Sequence, residues 1–573
     1  MVKADGPAST TARALARDVA RRMRRLFDNY VSLPLRAPER IVVAPPDPMP
    51  GKADLATEMY GGTFRLAGIS VETLGESPFG ISNAPDIWAE ALHGFGWMRH
   101  HRAAETDLAR LHVRTLLSDW IKLHGETARG LPWRPLVAAT RLRHWISHSP
   151  VVLGHGDFTF LDDFLRQLAV HHRYVRRAVR ESIDPLERAR LLAVLCTVSL
   201  AFPSSRQEQR KLAAALSTEL DAQVLPDGGH RSRRSSASLE LASDLLPLAQ
   251  CFDALGLVTP PAVIRAIDRM LPFVAMHQHT DGSLTRHNGT RGARIEMTEA
   301  IVALSPSVGP PPAEAPLSGY HRLAIGDTVV IVDTGTVPPI DYASRAHAGV
   351  LSFEMSVGRG DTATPLIVNI GDVRDEQAEL SDALRTLPAH STLAIDGSAD
   401  SWTIVKSGLQ SRLFANPLIG GPTEVEVRRA DAQDGSWRGF RASHDGLAQG
   451  AGPARAVHAR TFALSNGGTK LAGRDELIAP ADAPDGWSSP PATVRFHLHP
   501  SIDAEPLGEG NSRFTLQPER GAAWVLEVEG AKAQVEDGIY IVHEARVETR
   551  QIVLRIAAGG GAANWTFTRR DDR

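Results

Sequence analysis

The chain has 573 residues, 43% of them hydrophobic and 23% charged. This excludes disorder as the main state and is too much chain for one core, so two or three domains are expected. A formal net charge of -3 offers no global attraction to nucleic acid, and no nucleic-acid partner is expected.

Taken in chain order, Thr11 to Tyr30 reads as a basic amphipathic helix, with Leu15, Val19, Met23, Phe27 and Tyr30 on one face. That face is expected to pack on the protein, a membrane surface being the alternative. The start of the chain lacks the apolar core of a secretory signal, which makes the cytoplasm the default location and the periplasm or cell envelope the alternative. Residues 32 to 52 are rich in proline and read as an extended linker, giving a first segment 1–52. Tyr60 to Val71 fits a short strand or arm.

From about residue 84 to 305, apolar residues recur at helical spacing in segments such as ETDLARLHVRTLLSDWIKLHG and LERARLLAVLCTVSLAF. Successive helices with apolar faces must stack, as a bundle or a helical toroid, so 53–305 is read as one helical domain. Cys196 and Cys251 lie in apolar helical text and read as buried small residues. No run reaches the roughly 18 apolar residues of a membrane span.

Residues 306–317 form a second proline-rich joint, after which the period becomes two. Ten or more alternating runs without a long helix predict an antiparallel sandwich or closed sheet over 318–573.

Five stretches could carry chemistry. In LPDGGHRSRRSSASLEL, a turn opens a helix beside His230, Arg231, Arg233 and Arg234, which suits an acidic ligand. The glycine-bearing loop HTDGSLTRHNGTRG displays His287, Asn288 and Arg291 toward a sugar or nucleotide. Tyr342, Arg345 and His347 stand just before the run GVLSFEMSVG, and a histidine there can move a proton near neutral pH. His390 also precedes a strand and could meet His347; with Asn369, the pair offers a candidate zinc set of His347, Asn369 and His390. His497 and His499 are spaced to share one side of a strand. No GxSxG, HExxH, P-loop or CxxC pattern is present.

Taken together, DGGHRSRRSSASLELASDLLPL, AHAGVLSFEMSVGRG, PLIVNIGDV, AHSTLAIDG, GFRASHDG and VRFHLHPSI resemble the heparinase II/III-like proteins. HAGVLSFEMS is the strongest match, to the family's His-Ala-Asp-x-Leu-Ser-Phe segment, and the resemblance spans roughly residues 85 to 570. It implies an N-terminal incomplete (α/α) toroid of helical hairpins and a C-terminal antiparallel β-sandwich. It also implies a carbon–oxygen lyase acting by β-elimination on uronic-acid polysaccharides or oligosaccharides of the glycosaminoglycan kind. That chemistry needs a group to neutralise the carboxylate, a base for the C5 proton and an acid for the leaving oxygen. The expected roles are His347, Arg345 and Tyr342 in catalysis, and His230, Arg233, Arg234, His287 and Asn288 in binding the acidic glycan. A structural zinc and a homodimer stay open.

The family's Asp-Gly-x-x-x-Glu-x-Ser-x-x-Tyr helix motif, laid on Asp227, puts Ser232 at the Glu, Arg234 at the Ser and Ala237 at the tyrosine. The Asp of His-Ala-Asp falls at Gly349. The alternative function is therefore an inactive member that binds an acidic glycan or supports cell-envelope assembly.

Overall fold

A computed structural model describes residues 10–12, 14–16, 18–19, 22–23 and 37–570, apart from 154–157, 292–294, 305–308, 374–376, 397–400, 449–454, 509 and 511. The chain divides into two compact units. One is Met1–Val224 with Leu239–Asp268 and Ala300–Pro306; the other is Leu225–Ser238 with Arg269–Glu299 and Ser307–Arg573. The division does not follow a single linear boundary near residue 306, because two segments of the first half of the chain fold with the strands.

The first unit is built from amphipathic helices. In the helix Asp107–His124, the Thr106 side chain accepts the Ala109 N–H, satisfying an end donor. Ala109, Val113, Leu116, Leu117 and Trp120 are buried at helical spacing along one face. The helix Pro185–Ala201 starts on Asp184, whose carboxylate accepts from Leu186 N–H, with Pro185 at its first position. It is buried on nearly every side and packs against Pro135–Ser147, Phe158–Glu181 and Arg206–Gln223. Cys196 lies in it, and both cysteines are buried and unbridged, their thiols pushed up to about 12 by burial. Trp88, Trp97, Trp120 and Trp145 fill this core.

Tyr60 to Val71 is mostly a hairpin, Thr63–Leu66 against Ile69–Glu72, preceded by a helix Ala53–Tyr60 that the proline-rich text hid. The proline-rich run is tethered rather than a free spacer. The Asp47 carboxylate takes Arg99 Nε at 2.9 Å and His148 Nε2 at 3.0 Å. Of the N-terminal stripe, Leu15, Val19 and Met23 are 39–51% exposed rather than packed as expected; Phe27 and Tyr30 lie outside the described residues. Among the described residues, no helix is long and apolar enough to cross a membrane.

Among the described residues the second unit holds two large antiparallel sheets, of nine and eight strands, and a two-stranded ribbon of Trp402–Ile404 with Leu418–Gly420. The larger runs from Lys532–Val542 through Ala492–Leu498, Thr364–Val368, Phe353–Val357 and Thr328–Asp333 to Glu314–Ala315; the smaller runs from Val425–Asp431 through Ala562–Arg569 to Ile502–Pro506. Alternation drives them together: in Trp524–Glu529, Trp524, Leu526 and Val528 are buried and their neighbours are not. Central strands such as Thr328–Asp333 are buried at every residue. Phe353 from one sheet stacks on Trp565 from the other at 5.4 Å, with Phe462 and Phe496 around them.

Candidate functional site

Within the second unit, four loops and two strand ends bring the sequence candidates together. The loop before the helix Ser235–Ala254 carries His230, Arg233 and Arg234. The turn after the helix Pro261–Met276 carries His287, Asn288 and Arg291. The residues before Phe353–Val357 carry Tyr342, Arg345 and His347, and the residues before Leu393–Ile395 carry His390.

The two adjacent arginines part company. Arg233 is buried, with a positive φ of 63°. Its guanidinium pairs with Asp333 and donates to the carbonyls of Ser318, Gly319 and Thr336. The expectation that Arg233 binds a substrate carboxylate is corrected, since four of its five N–H donors and its charge are committed to the fold. Asn288 is tied to the same group through its amide nitrogen, while its Oδ1 has no partner among the described residues. At φ 51° it donates from Nδ2 to Tyr320 Oη at 2.9 Å and to Asp333 at 2.8 Å, while Tyr320 donates to the Arg233 carbonyl. Arg234, in contrast, is half-buried and its guanidinium makes no ion pair among the described residues. His230 is fully buried, its Nδ1 accepting from Ser232 N–H and Oγ–H, and its ring edge meets Tyr342 at 5.7 Å. Burial, then Arg234 and Arg231, lower its pKa to about 3.

His347 and His390 do meet: their ring centroids lie 5.2 Å apart. They are 4% and 1% exposed, and among the described residues none of their four ring nitrogens has a hydrogen-bond partner. Burial, then the charges of Arg385, Arg345 and Arg234, hold the His347 pKa well below its ordinary value; burial, then His347 and His497, do the same for His390. Both imidazoles are neutral at pH 7. His287 is also buried, and burial lowers its pKa against the opposing pull of Glu354, Asp333 and the Ser352 backbone. Asp372 faces this group, with Arg345 and Arg291 each 3.4 Å from its carboxylate and His347 Nε2 at 4.0 Å.

The group is held by residues that sequence reading did not single out. Glu354 accepts His279 Nε2 at 2.9 Å, the Arg286 N–H at 2.8 Å and Asn369 Nδ2 at 2.9 Å. Burial alone would raise its pKa, but His279, His287 and these donors bring it down to about 2. Arg385 donates to the Ala343 and Ala346 carbonyls and so fixes the turn before His347. The legible signal for Glu354 was an acid inside an otherwise apolar strand, since a charge is almost never fully buried without partners.

The zinc expectation meets a poor donor set. Asn369 is committed at both ends, Nδ2 to Glu354 and Oδ1 to the Ser391 N–H at 2.9 Å. The guanidinium groups of Arg385, Arg345 and Arg234 set positive charge around His347. Among the described residues, no group of three His, Cys, Asp or Glu is arranged to hold a metal. These residues do not fit a cation. His497 and His499 do not form a pair either: His497 Nε2 donates to the Pro388 carbonyl, and His499, past the strand end, contacts Ser501 Oγ.

At the two family positions that differ, Ala237 is fully buried, and a Cβ on Gly349 would stand 3.2 Å from the His390 ring and 3.3 Å from Ser352 Oγ. The imidazole of His390 takes room that an aspartate at 349 would need.

Residues 307–568 match the family model described as heparinase II/III-like, C-terminal. Over that part the chain resembles the heparinase II/III-like proteins. Crystal structures of similar fold include heparinase III, with a TM-score of 0.66 at 12% identity over 96% of this chain and 89% of that one. Heparan sulfate lyase HepC from Pedobacter heparinus gives 0.53 at 14% over 91% and 83%. The fold is therefore the expected one, a helical (α/α) toroid domain followed by an antiparallel β-sandwich. A curated relative, FtsZ-localized protein C of Caulobacter vibrioides, is 28% identical over 550 residues, covering 94% of this chain and 92% of its own.

Proposed function

We propose that this lyase-like protein binds an acidic glycan or oligosaccharide without turning it over, and supports cell-envelope assembly alongside FtsZ, the protein that the name of its Caulobacter relative carries. The observation that carries this reading is the state of the proton-transfer positions. Ala237 is buried where the family tyrosine would stand, and His347 and His390 are closed in and neutral. A base must come within hydrogen-bond reach of the proton it takes, and these rings have almost no exposed surface. Recognition survives better than turnover. Among the described residues the Arg234 guanidinium makes no ion pair, and Arg345, a quarter exposed, lies over Asp372; both charges act on His347. A planar guanidinium suits a uronate carboxylate bidentately.

The elimination reading has one observation in its favour, the four unpartnered ring nitrogens. In that reading His347 takes the C5 proton, the C4–O bond breaks as the C4–C5 double bond forms, and Tyr342 gives the leaving oxygen its proton. Arg345 or Arg234 neutralises the carboxylate.

The test pairs two measurements on the full-length protein. The first follows the ultraviolet absorbance of an unsaturated uronate over a panel of uronic-acid polymers and oligomers, beside His347→Ala. The second asks whether a fluorescent fusion gathers at the division site and whether purified protein co-sediments with FtsZ polymers. Flat absorbance with recruitment is expected. Rising absorbance lost in His347→Ala would replace this reading with elimination, and a fusion indifferent to the division site would remove the division role.

A further inference from the structure

A cavity of about 470 Å³, whose lining includes neither Arg234 nor His347, lies in the same unit. Its wall is the turn Gln278–Leu284. Thr280 ties that turn to the strand Phe353–Val357 through Ser356 Oγ and the Val357 carbonyl, and Asp281 braces it by accepting from Ser283 N–H and Oγ–H. The cavity is therefore walled by fixed backbone rather than by a loose loop.

Its polar groups are incompletely matched, and in opposite senses. Arg322 spends one guanidinium nitrogen on the carbonyls of Met276 and Gln278 and makes no ion pair among the described residues. Burial without a facing carboxylate lowers its pKa to about 10. Glu299 and Asp281 line the same cavity, and among the described residues neither makes an ion pair. His279 is the third element. It is 5% exposed, and its Nε2 donates to the Glu354 carboxylate. In the neutral ring this leaves Nδ1 as an acceptor, and Nδ1 is buried with no partner. A buried acceptor with nothing to accept from costs stability unless a ligand or water supplies the donor.

We infer that this cavity is a ligand site for a small zwitterion, an α-amino acid or a short peptide with both ends free, with its carboxylate toward Arg322 and its ammonium toward His279, Asp281 and Glu299. The volume lies within the range of small-molecule sites. Separate cationic and anionic walls select a ligand carrying both charges, because a singly charged one leaves one wall unmatched.

Calorimetric titration of the full-length protein tests it with L-alanyl-L-alanine, its N-acetylated form and its C-terminal amide. The dipeptide binds, and blocking either end weakens binding on the order of tenfold or more, as losing one partner of a charge pair does. L-Alanine alone distinguishes a free amino acid from a short peptide as the preferred source. Glu299→Gln, at an exposed position that leaves folding intact, weakens the dipeptide but not the N-acetylated form. Arg322→Lys, checked for an unchanged Tm, weakens the dipeptide but not the amide. Binding indifferent to blocking both ends, or no heat with any probe from folded protein, overturns the assignment. The glycan reading stands or falls separately on Arg234.

Discussion

Two buried polar networks in the β unit are built from the same residue types and end in opposite states. In the first, Asp475 accepts His458 Nε2 and Arg460 Nε, both at 2.7 Å, and Trp565 Nε1 at 2.8 Å. His458 passes on to His444, whose Nδ1 accepts the Gly446 N–H. In the second, His347 and His390 keep four unpartnered ring nitrogens beside Asp372. A closed network specifies a core, whereas an open one is costly and marks a place where something else binds or once reacted. The two are joined. Arg460 also donates to the Leu351 and Ser391 carbonyls, each within a few residues of one of the open pair. The finished network thus positions the unfinished one.

The largest break comes from unpairing the closed network. Arg460→Met leaves Asp475 buried without its guanidinium and costs about 3–5 kcal/mol, read as a fall in the urea midpoint. His347 and His390 titrations by NMR shift in the same variant as the two loops loosen; unchanged titrations would separate the networks. Arg233→Met, which strands Asp333 in the same way, is expected to be comparably destabilising.

Gly349→Asp restores the family's acidic residue but pushes on His390. It is expected to destabilise by about 1–3 kcal/mol without conferring uronate elimination. A stable, active variant would mean that Gly349 rather than Ala237 silences the site.

The pH dependence separates the histidine pair from Glu354 by the pH range in which each loses stability. His347 and His390 have folded pKa values below the ordinary imidazole value, so below about pH 6.5 the unfolded chain binds protons that the folded chain refuses. Stability is thus lost as pH falls from 7 toward 5, and His390→Gln reduces that slope. Glu354, held near 2, contributes stability that is present above the unfolded carboxylate value and lost as pH falls toward its folded one. Glu354→Gln flattens this acid limb. Unfolding midpoints across pH 2 to 7 for the three proteins check both limbs.

The smallest expected effect on stability is the most telling for function. Arg234→Ala changes the unfolding free energy by under about 0.5 kcal/mol, since its guanidinium holds no ion pair among the described residues. It should nonetheless abolish most binding of acidic oligosaccharide. Full binding by this variant would move recognition to Arg345.

The sequence by itself determined the order of the layers, because the change from a helical to a two-residue period is local and survives without neighbours. It also marked His347, His390, Arg234 and Tyr342, since polar residues before strands and helices are visible in linear text. Only the tertiary structure decided which of them are free. Arg233 and Arg234 are adjacent and chemically identical, yet Asp333, 100 residues on, takes one and leaves the other. Asn369, as a metal ligand, looked plausible until Glu354 and the Ser391 N–H were seen to occupy it. A hydrogen-bond partner or a counter-ion is a long-range property of the fold, and a residue's chemistry depends on that partner as much as on its own side chain.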